Sequence, residues 1–349
     1  MREVKPVTSV VTTIADRCGL TKMRVREALQ SDSFTPLKKR RQVLKMAQDL
    51  GYFPQGRKKV SSKDEGRVRP KVEVVLTLQL NTAFYSKLLM AIESGLAEHK
   101  YDCVIRTVSG EFEEFVMLCD ILRVSPETPT LLVGYLPHQQ LRTLLEARPH
   151  ALLVDHTGDP KLALPYSSLS FDNVEASRMM VQHLLERGCQ RILLLKGFAD
   201  HYFSRDVEQG YRKAMAQASR LIEPTLIVET DFSAVSTVEK LYQTLDAGVS
   251  FDAVFTSDEM ALVVLHTLHK KGLRVPDDVA VAGCDGLPFG RYTLPSLSTV
   301  VLDYQQLGRM AVEHILKFKS PPKEVTHRAG PLPRLEERDS TNFNPKRKK

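Results

Sequence analysis

The sequence predicts an α/β protein in which a small N-terminal helical domain precedes a larger domain built on parallel sheets. Three observations support this prediction. Most of the positive charge lies in the first 71 residues, a helix-turn-helix spacing lies within them, and short apolar runs alternate with helix-length stretches from residue 72 onward. At 349 residues the chain is too long for one compact core. We therefore expect a small domain followed by one two-lobed unit.

The charge is distributed unevenly along the chain. Residues 1–71 hold 18 Lys and Arg against 7 Asp and Glu, a net charge of +11, so the remaining residues contribute −4 to the total of +7. A basic module on a mildly acidic body indicates a polyanionic partner for the module alone. A second basic cluster, at residues 346–349, predicts a disordered tail.

The composition also argues against several classes of protein. No apolar run approaches the roughly 20 residues that cross a bilayer, and no signal peptide is apparent, so we expect a cytoplasmic protein without a membrane partner. The five cysteines are scattered without a C-x-x-C pair, which predicts buried thiols and no metal site. G-x-S-x-G, H-E-x-x-H, G-x-G-x-x-G and Walker A motifs are absent from the sequence. We therefore predict neither enzymatic activity nor a cofactor.

The N-terminal segment has the spacing of a helix-turn-helix. Ala15 is small enough for two helices to approach, Gly19 supplies the positive φ of a tight turn, and Val25 packs the second helix on the first. Thr21 stands where the second helix needs an N-cap. A Thr-Pro pair, an apolar stripe and a final glycine predict a third helix over residues 35–51.

Several side chains of this segment are candidates for DNA contacts. Those expected to face outward from the second helix suit the major groove by size and hydrogen-bonding capacity: Thr21, Lys22, Met23, Arg24, Arg26 and Glu27. Lys38 and Lys39 lie near the start of the third helix, where the helix dipole disfavours cations, which suggests a phosphate partner. Arg57, Lys58 and Lys59 are candidates for phosphate or minor-groove contacts. The alternatives are a solvated surface and a plain flexible linker.

The body of the chain has the pattern of parallel sheets. Eight short apolar runs predict strands: VEVVLTL, YDCVI, TLLVG, ALLVD, RILLL, TLIVE, AVFTS and VAVAG. Such continuous runs are typical of strands covered by helices on both faces. Helix-length stretches such as residues 84–100 lie between them. About 270 residues of this alternation favour two parallel sheets over one.

Three carboxylates follow these predicted strands. Asp155 ends ALLVD, Asp258 follows AVFTS, and Asp285 follows VAVAGC. Because ligands of two-lobed α/β domains bind at the carboxyl ends of the strands, we expect the three side chains to converge on a crevice. Carboxylates accept hydrogen bonds from hydroxyl groups, which fits a sugar-like ligand. Alternatively, Asp258 caps the following helix.

Several blocks occur in an order that is typical of one family. LGYFP at residues 50–54 follows the helix-turn-helix, and later blocks are SFDNVEASRMMVQHLLERGCQRILLLKG at 170–197, DDVAVAGCDGLPFGRYTLPSLSTV at 277–300 and EERDST at 336–341. These blocks resemble signatures of the lactose-repressor (LacI/GalR) family, in which the last one is the closing strand. The resemblance implies a helix-turn-helix domain followed by a two-lobed, periplasmic-binding-protein-like domain.

The resemblance also implies a function. A homodimer would bind a pseudo-palindromic operator in double-stranded DNA as a transcriptional repressor, and a sugar or sugar derivative would control its affinity allosterically. Phe84 and Tyr85 would stack on this effector or line the lobe interface, and Arg205 lies where the family places effector-binding arginines. The alternative is a sugar-binding protein of the same fold without a DNA function.

The chain departs from the family pattern in several places. The recognition helix has Arg24–Glu27 instead of Thr-Val-Ser-Arg, Val207 occupies the commonest arginine position, and Cys284 replaces an aromatic residue. We divide the chain into a helix-turn-helix domain (1–56), a basic linker (57–71), a two-lobed domain (72–341) and a basic tail (342–349).

Overall fold

The chain forms two units, Met1–Arg67 and Val68–Lys349. The boundary between them falls within the predicted linker. The computed structural model describes residues 7–28, 39, 42–43, 45–47, 69–77, 83–108, 112–157, 161–318 and 320–342. The predicted Thr-Pro cap, the LGYFP block, Lys38, the linker residues Arg57–Lys59 and residues 343–349 lie outside the described residues.

The N-terminal unit contains the predicted helix-turn-helix. Helices α1 (Val7–Cys18) and α2 (Lys22–Ala28) are joined by Gly19, whose φ is 60°, and the residues described between 39 and 47 are helical. The Arg24 N–H donates to Thr21 Oγ1 over 3.3 Å, so Thr21 caps α2 as predicted. Seven buried side chains form the core of this unit: Val11, Ile14, Ala15, Val25, Ala28, Val43 and Ala47.

The second unit contains two six-stranded sheets, one in each lobe. The first sheet consists of β1 (Lys71–Thr77), β2 (Asp102–Val108), β3 (Thr130–Val133), β4 (Leu152–Val154), β5 (Ser167–Ser170) and β11 (Thr326–Ala329). The second consists of β6 (Ile192–Lys196), β7 (Ile227–Glu229), β8 (Ala253–Phe255), β9 (Ala280–Asp285), β10 (Ser298–Val301) and β12 (Arg334–Glu336).

The strand orders show how the chain passes between the lobes. They are β11-β5-β4-β3-β1-β2 and β12-β10-β9-β8-β6-β7, and the described pairs are parallel except the antiparallel pair of β12 with β10. The chain therefore crosses between the lobes after β5, after β10 and after β11. These crossings bring the carboxyl ends of strands from both sheets to one crevice.

Among its described residues, the second unit has eight helices that cover these sheets. They are α3 (Ala83–Glu98), α4 (Phe112–Val124), α5 (His138–Ala147), α6 (Asn173–Glu186), α7 (Tyr202–Gln217), α8 (Ala234–Asp246), α9 (Asp258–Lys270) and α10 (Tyr304–Lys317). Side chains of Asp172, Ser233, Ser257 and Asp303 cap four of them. None of the helices in the described part of the chain has the length and apolar character that a membrane span requires.

All eight strands predicted from apolar runs are confirmed, and the described residues form four more. The strand β5 escaped the apolar pattern because its sequence is SSLS, although all four residues are buried. Its hydroxyl groups are satisfied across the sheet, where Ser167 Oγ lies 2.8 Å from Thr326 Oγ1 and Ser168 Oγ lies 3.0 Å from His327 Nδ1. A buried strand can therefore be polar when its neighbour supplies partners.

The predicted closing strand at residues 336–341 is wrong in position. The strand β12 is Arg334–Glu336, whereas Asp339–Thr341 forms a 3₁₀ turn. The turn forms because its buried hydroxyl groups bind backbone and side-chain groups of the second sheet: the Ser298 N–H donates to Ser340 Oγ over 2.8 Å, and Ser340 Oγ donates to the Val281 carbonyl over 2.6 Å.

A buried ion pair fixes the first lobe. Glu73 on β1 and Arg148 after α5 are 2% and 1% exposed, and Arg148 Nη2 donates to Glu73 Oε2 over 2.6 Å. Arg148 also donates to Thr130 Oγ1 and to the carbonyls of Leu122 and Ser125. Burial raises the pKa of Glu73, but the hydrogen bonds from Arg148 and Arg106 outweigh it and hold that pKa below its usual value.

We predict that Arg148→Ala destabilises the first lobe by about 3–5 kcal/mol, because it leaves the Glu73 carboxylate and two carbonyls buried with fewer donors. The exposed Arg142, which pairs with Glu146 on α5, is the matched control and should cost less than about 1 kcal/mol when changed to alanine. Urea unfolding followed by circular dichroism measures both. Equal losses for the two variants would contradict the assigned role of Arg148.

Candidate ligand site and nucleic-acid interface

A cavity of about 60 Å³ lies in the crevice between the two lobes. Both lobes line it, with aromatic rings and carboxylates as the main groups. The lining residues are Phe84, Tyr85 and Asp155 from the first lobe, and His201, Tyr202, Phe203, Phe232, Ser257, Glu259 and Asp285 from the second. Four of the six residues predicted for this site, Phe84, Tyr85, Asp155 and Asp285, are therefore brought together here.

Asp155 stands at the centre of a hydrogen-bond chain between the lobes. The Tyr202 hydroxyl donates to Asp155 Oδ2 over 2.5 Å and lies 3.5 Å from the hydroxyl of Tyr85. Burial raises the pKa of Asp155 to about 7; the bond from Tyr202 lowers it only in part, and the charge of Asp206 raises it further. The carboxyl group is therefore poised to change its charge when a ligand changes its surroundings.

Asp285 occupies the corresponding place at the end of β9 in the second lobe. Burial raises the pKa of its carboxyl group well above the usual value, and the nearby carboxylates of Asp258 and Glu259 add to that rise. Its φ is 132° and that of Asp155 is 54°, both in the left-handed half of the backbone map. Strained backbone at two buried acids that line one cavity is typical of ligand sites, where the surrounding structure holds it in place.

Asp258 is not among the cavity-lining residues, contrary to the expected convergence. It is fully buried, with Oδ1 accepting from Thr299 Oγ1 over 2.6 Å and Oδ2 accepting from the Leu287 N–H over 2.7 Å. The alternative role as a helix cap is also wrong, because Ser257 Oγ caps α9. The side chain of Asp258 instead ties α9 to β10 and to the loop after β9.

Arg205 lies at a neighbouring cavity, which shares Tyr202 with the first one. It is exposed, and it lines a space together with Tyr135, His138, Lys161 and Asp200, among others. Val207 is 2% exposed and belongs to the apolar core. Among the described residues, neither a lysine nor an arginine lines the cavity that holds Asp155 and Asp285.

Six lining residues were missed by the sequence analysis: His201, Tyr202, Phe203, Phe232, Ser257 and Glu259. The rule that found Asp155 and Asp285 could have found them, because all six follow apolar runs. The first three follow RILLL, Phe232 follows TLIVE, and the last two lie at or just after the end of AVFTS.

His201 carries a polar atom with no partner in the described structure. The residue is 2% exposed, its Nδ1 accepts the Phe203 N–H over 3.2 Å, and its Nε2 makes no hydrogen bond. Burial, together with the nearby His156 and Arg205, lowers the pKa of His201 to about 3, so the ring is neutral. Because Nδ1 accepts, the ring proton is on Nε2, which is a donor awaiting an acceptor.

Further contacts hold the two lobes together around the cavity. Glu259 Oε1 accepts the Ala83 N–H over 2.9 Å, which joins the start of α9 to the start of α3. Lys87 Nζ donates to the Gly286 carbonyl over 3.4 Å and lies 4.2 Å from the centre of the Tyr304 ring. A ligand entering the cavity therefore meets groups that already couple the lobes.

The exposed face of α2 is the candidate nucleic-acid interface. Thr21, Lys22, Met23, Arg24 and Arg26 are exposed, as is Lys39 in the third helical segment. The side chain of Glu27, like Lys38, Arg57 and Lys58, lies outside the described residues. Within the described part of the chain, His, Cys, Asp and Glu side chains form no group that could hold a metal ion.

Comparisons with known proteins agree with this arrangement. Residues 181–341 match the family described as a periplasmic binding protein-like domain. The chain is 28% identical over 320 residues to the HTH-type transcriptional regulator GntR of Escherichia coli K12, covering 90% of this chain and 92% of GntR. It is 26% identical over 301 residues to the HTH-type transcriptional repressor CytR of Escherichia coli K12, covering 86% of each.

Solved structures share the fold over nearly the whole chain. The transcriptional regulator CelR in complex with cellobiose superposes with a TM-score of 0.68 at 26% identity, covering 95% of this chain and 99% of CelR. The lac repressor dimer bound to operator and the anti-inducer ONPF has a TM-score of 0.67 at 24% identity, covering 97% and 99%.

We predict that Asp155→Asn makes stability less dependent on pH. The folded protein holds a proton on Asp155 up to about pH 7, whereas the unfolded chain releases it near pH 4, so the free energy of unfolding falls as the pH rises between these values. Asparagine has no such proton, and the variant should therefore gain roughly 4 kcal/mol relative to the parent between pH 4 and pH 8.

Urea unfolding at pH 4, 6 and 8 measures this difference. Asp102→Asn, which makes the same change at an exposed position of the first lobe, is the matched control. A difference between Asp155→Asn and the parent that is constant across the three pH values would show that the carboxyl group of Asp155 does not titrate differently in the folded chain.

Proposed function

Because the chain belongs to the lactose-repressor (LacI/GalR) family of transcriptional regulators, we propose that it represses transcription by binding operator DNA under the control of a small ligand. One observation carries this function: the same chain has a helix-turn-helix with an exposed polar face on α2 and a cavity lined from two lobes. The fold supplies binding sites and the family is one of regulators, so the protein is not an enzyme.

The proposed DNA contacts follow from the exposure and charge of the N-terminal unit. Helix α2 enters the major groove with Lys22, Met23, Arg24 and Arg26 toward the base edges, and Thr21 at its N-terminus toward the backbone. Lys39 and the remaining basic side chains contact phosphates. The net charge of +11 on residues 1–71 supports this role, since neutralised phosphates release counterions.

The proposed control uses the cavity between the lobes. A ligand that touches Asp155 in one lobe and Asp285 in the other favours one angle between the lobes, and that angle favours one arrangement of the DNA-binding units in the dimer. Such couplings typically amount to about 1–3 kcal/mol, or roughly 5- to 150-fold in operator affinity. The cellobiose named in the complex of the similar regulator CelR supports a hydroxylated ligand.

The proposed assembly is a homodimer located in the cytoplasm, where its DNA partner lies. A dimer presents two recognition helices to a pseudo-palindromic operator. An apolar surface on the first lobe supports it: Ile105 on β2 is 48% exposed, and Met117, Ile121 and Val124 on α4 are 64%, 43% and 81% exposed. Exposed apolar side chains grouped on one lobe are typical of protein interfaces.

The alternative of a sugar-binding protein without a DNA function leaves the basic N-terminal unit unexplained. We predict that the full-length protein selects an inverted repeat from a random pool of DNA duplexes at near-physiological salt, because two identical units read two half-sites. Sequencing of bound duplexes measures this. If no sequence is enriched, either with the protein alone or after candidate ligands are added, the sugar-binding protein without a DNA function is favoured.

We predict that Arg24→Ala weakens binding to the selected operator by roughly 5- to 150-fold, because a base contact is lost. The variant should also discriminate less among bases at one or two positions of the operator. Arg220→Ala removes the same charge from an exposed position of the second unit and is the matched control. Fluorescence anisotropy of labelled operators and single-base variants measures both. Equal affinities for parent and Arg24→Ala would remove this residue from the readout.

We predict that Met117→Asp converts the dimer to a monomer, because a carboxylate in an apolar interface loses its hydration without gaining a partner. Val235→Asp, at a position 68% exposed on α8 in the second lobe, is the matched control and should remain dimeric. Sedimentation velocity at micromolar concentration distinguishes the species. A dimeric Met117→Asp would place the interface on another surface.

A further inference from the structure

The described side chains that line the cavity between the lobes include several acidic groups and no lysine or arginine. Asp155, Glu259 and Asp285 contribute three carboxyl groups, and burial raises the pKa of each. No lysine or arginine of the described residues lines the same space. Carboxyl groups without a cationic partner are costly to bury in their charged form. A ligand that carries a positive charge can supply the partner that these groups lack.

Lys87 and Arg338, whose charges act on Asp258, bind other groups. Lys87 donates to the Gly286 carbonyl and lies over the Tyr304 ring. Arg338 donates to the Leu297 carbonyl over 2.6 Å and pairs with Glu336 over 2.9 Å. Arg205 is exposed and lines the adjoining cavity, which shares Tyr202 with this one. The charge of Lys87 interacts with Asp258 and Asp285, and that of Arg338 interacts with Asp258. Neither side chain lines the cavity.

The aromatic walls of the cavity suit a cation as well. Phe84 and Tyr85 form an edge-to-face pair with ring centres 5.0 Å apart in the first lobe. Tyr202, Phe203 and Phe232 line the opposite side, in the second lobe. The negative faces of aromatic rings attract ammonium groups, most strongly where water is excluded. Carboxylates and aromatic faces therefore favour the same kind of group.

His201, which lines the same cavity, has a buried ring N–H that an ammonium group cannot satisfy. His201 Nε2 is buried, carries the proton of a neutral ring and has no partner. It needs an acceptor such as a hydroxyl or ring oxygen. This unpartnered donor is independent of the carboxyl groups, and together they specify a ligand with both an amine and an oxygen function.

We propose that the ligand of this cavity is a small hydroxylated organic cation, such as a sugar bearing a protonated amine. Its ammonium group binds between Asp155, Asp285 and the aromatic rings, and one of its oxygen atoms accepts from His201 Nε2. Neutral sugars bind more weakly because they form hydrogen bonds with the carboxyl groups but gain no ion pair from them. An ammonium group favours the charged form of these carboxyl groups and is attracted by it, whereas the anionic group of a sugar acid or sugar phosphate favours the neutral form and finds no cationic side chain in the described lining. The inference rests on the proposed function, in which this cavity is the effector site.

Matched ligands test the charge directly. Calorimetric titration of the full-length protein in phosphate buffer at fixed ionic strength compares glucosamine, galactosamine and mannosamine with glucose, galactose and mannose, with the N-acetylated amines, and with glucuronate and galacturonate. The tris(hydroxymethyl)aminomethane cation and neutral pentaerythritol form a further pair of nearly equal shape. We expect at least one amine to bind about tenfold or more tightly than its neutral and N-acetylated counterparts, and the acids not to bind.

The variant Asp155→Asn separates charge recognition from general damage to the cavity. We expect it to reduce the ratio of amine to neutral affinity to near one, since the neutral isostere reports any loss of shape. Asp285→Asn provides a second variant with the same expectation. Equal or tighter binding of a neutral sugar or an acid, no binding of any amine, or an unchanged ratio in both variants would overturn the proposal.

Operator binding measured with the same ligands keeps the two proposals apart. An amine that binds the protein without changing operator affinity supports the ligand class and contradicts the proposed control. A neutral or anionic sugar that changes operator affinity supports the proposed control and contradicts the ligand class.

Discussion

The hydrogen bond from the Tyr202 hydroxyl to Asp155 is the contact on which the ligand site depends. It joins the first residue of α7 in the second lobe to the residue after β4 in the first, and the hydroxyl of Tyr85 lies beside it. The three crossings of the chain bring these elements to one crevice. Burial between the lobes raises the pKa of this carboxyl group. Closing the lobes therefore favours its protonated form, and by linkage protonation favours the closed lobes.

Tight packing elsewhere holds the elements that carry these groups. Gly210 on α7 lies so close to α6 that an added Cβ would fall 2.2 Å from the Val174 carbonyl oxygen. Gly308 on α10 is similarly close to Ala91 on α3, with a Cβ at 2.8 Å. These contacts fix helices that begin at the crevice, since α3 presents Phe84 and Tyr85 and α7 presents Tyr202 and Phe203. Interiors packed this closely move as rigid lobes, which suits control by a change of lobe angle.

The two units differ in charge and therefore suit different ligands. The N-terminal unit carries a dense positive charge and a small apolar core around α1 and α2, which suits a polyanion and little else. The second unit is mildly acidic and concentrates buried carboxyl groups where its lobes meet. Binding at the second site changes operator affinity only through a difference in affinity between two conformations of the chain, as linkage requires.

The sequence by itself determined the fold class, the helix-turn-helix with Gly19 in its turn and Thr21 as its cap, and eight strands, because these depend on local φ preferences and on hydrophobic period. It also placed Asp155 and Asp285 at strand ends. Only the tertiary structure decided that Asp258 is enclosed by Thr299 and Leu287, that polar β5 is a buried strand, and that His201 and Glu259 enter the cavity. Those outcomes depend on which distant groups supply hydrogen-bond partners, and local patterning does not contain that information.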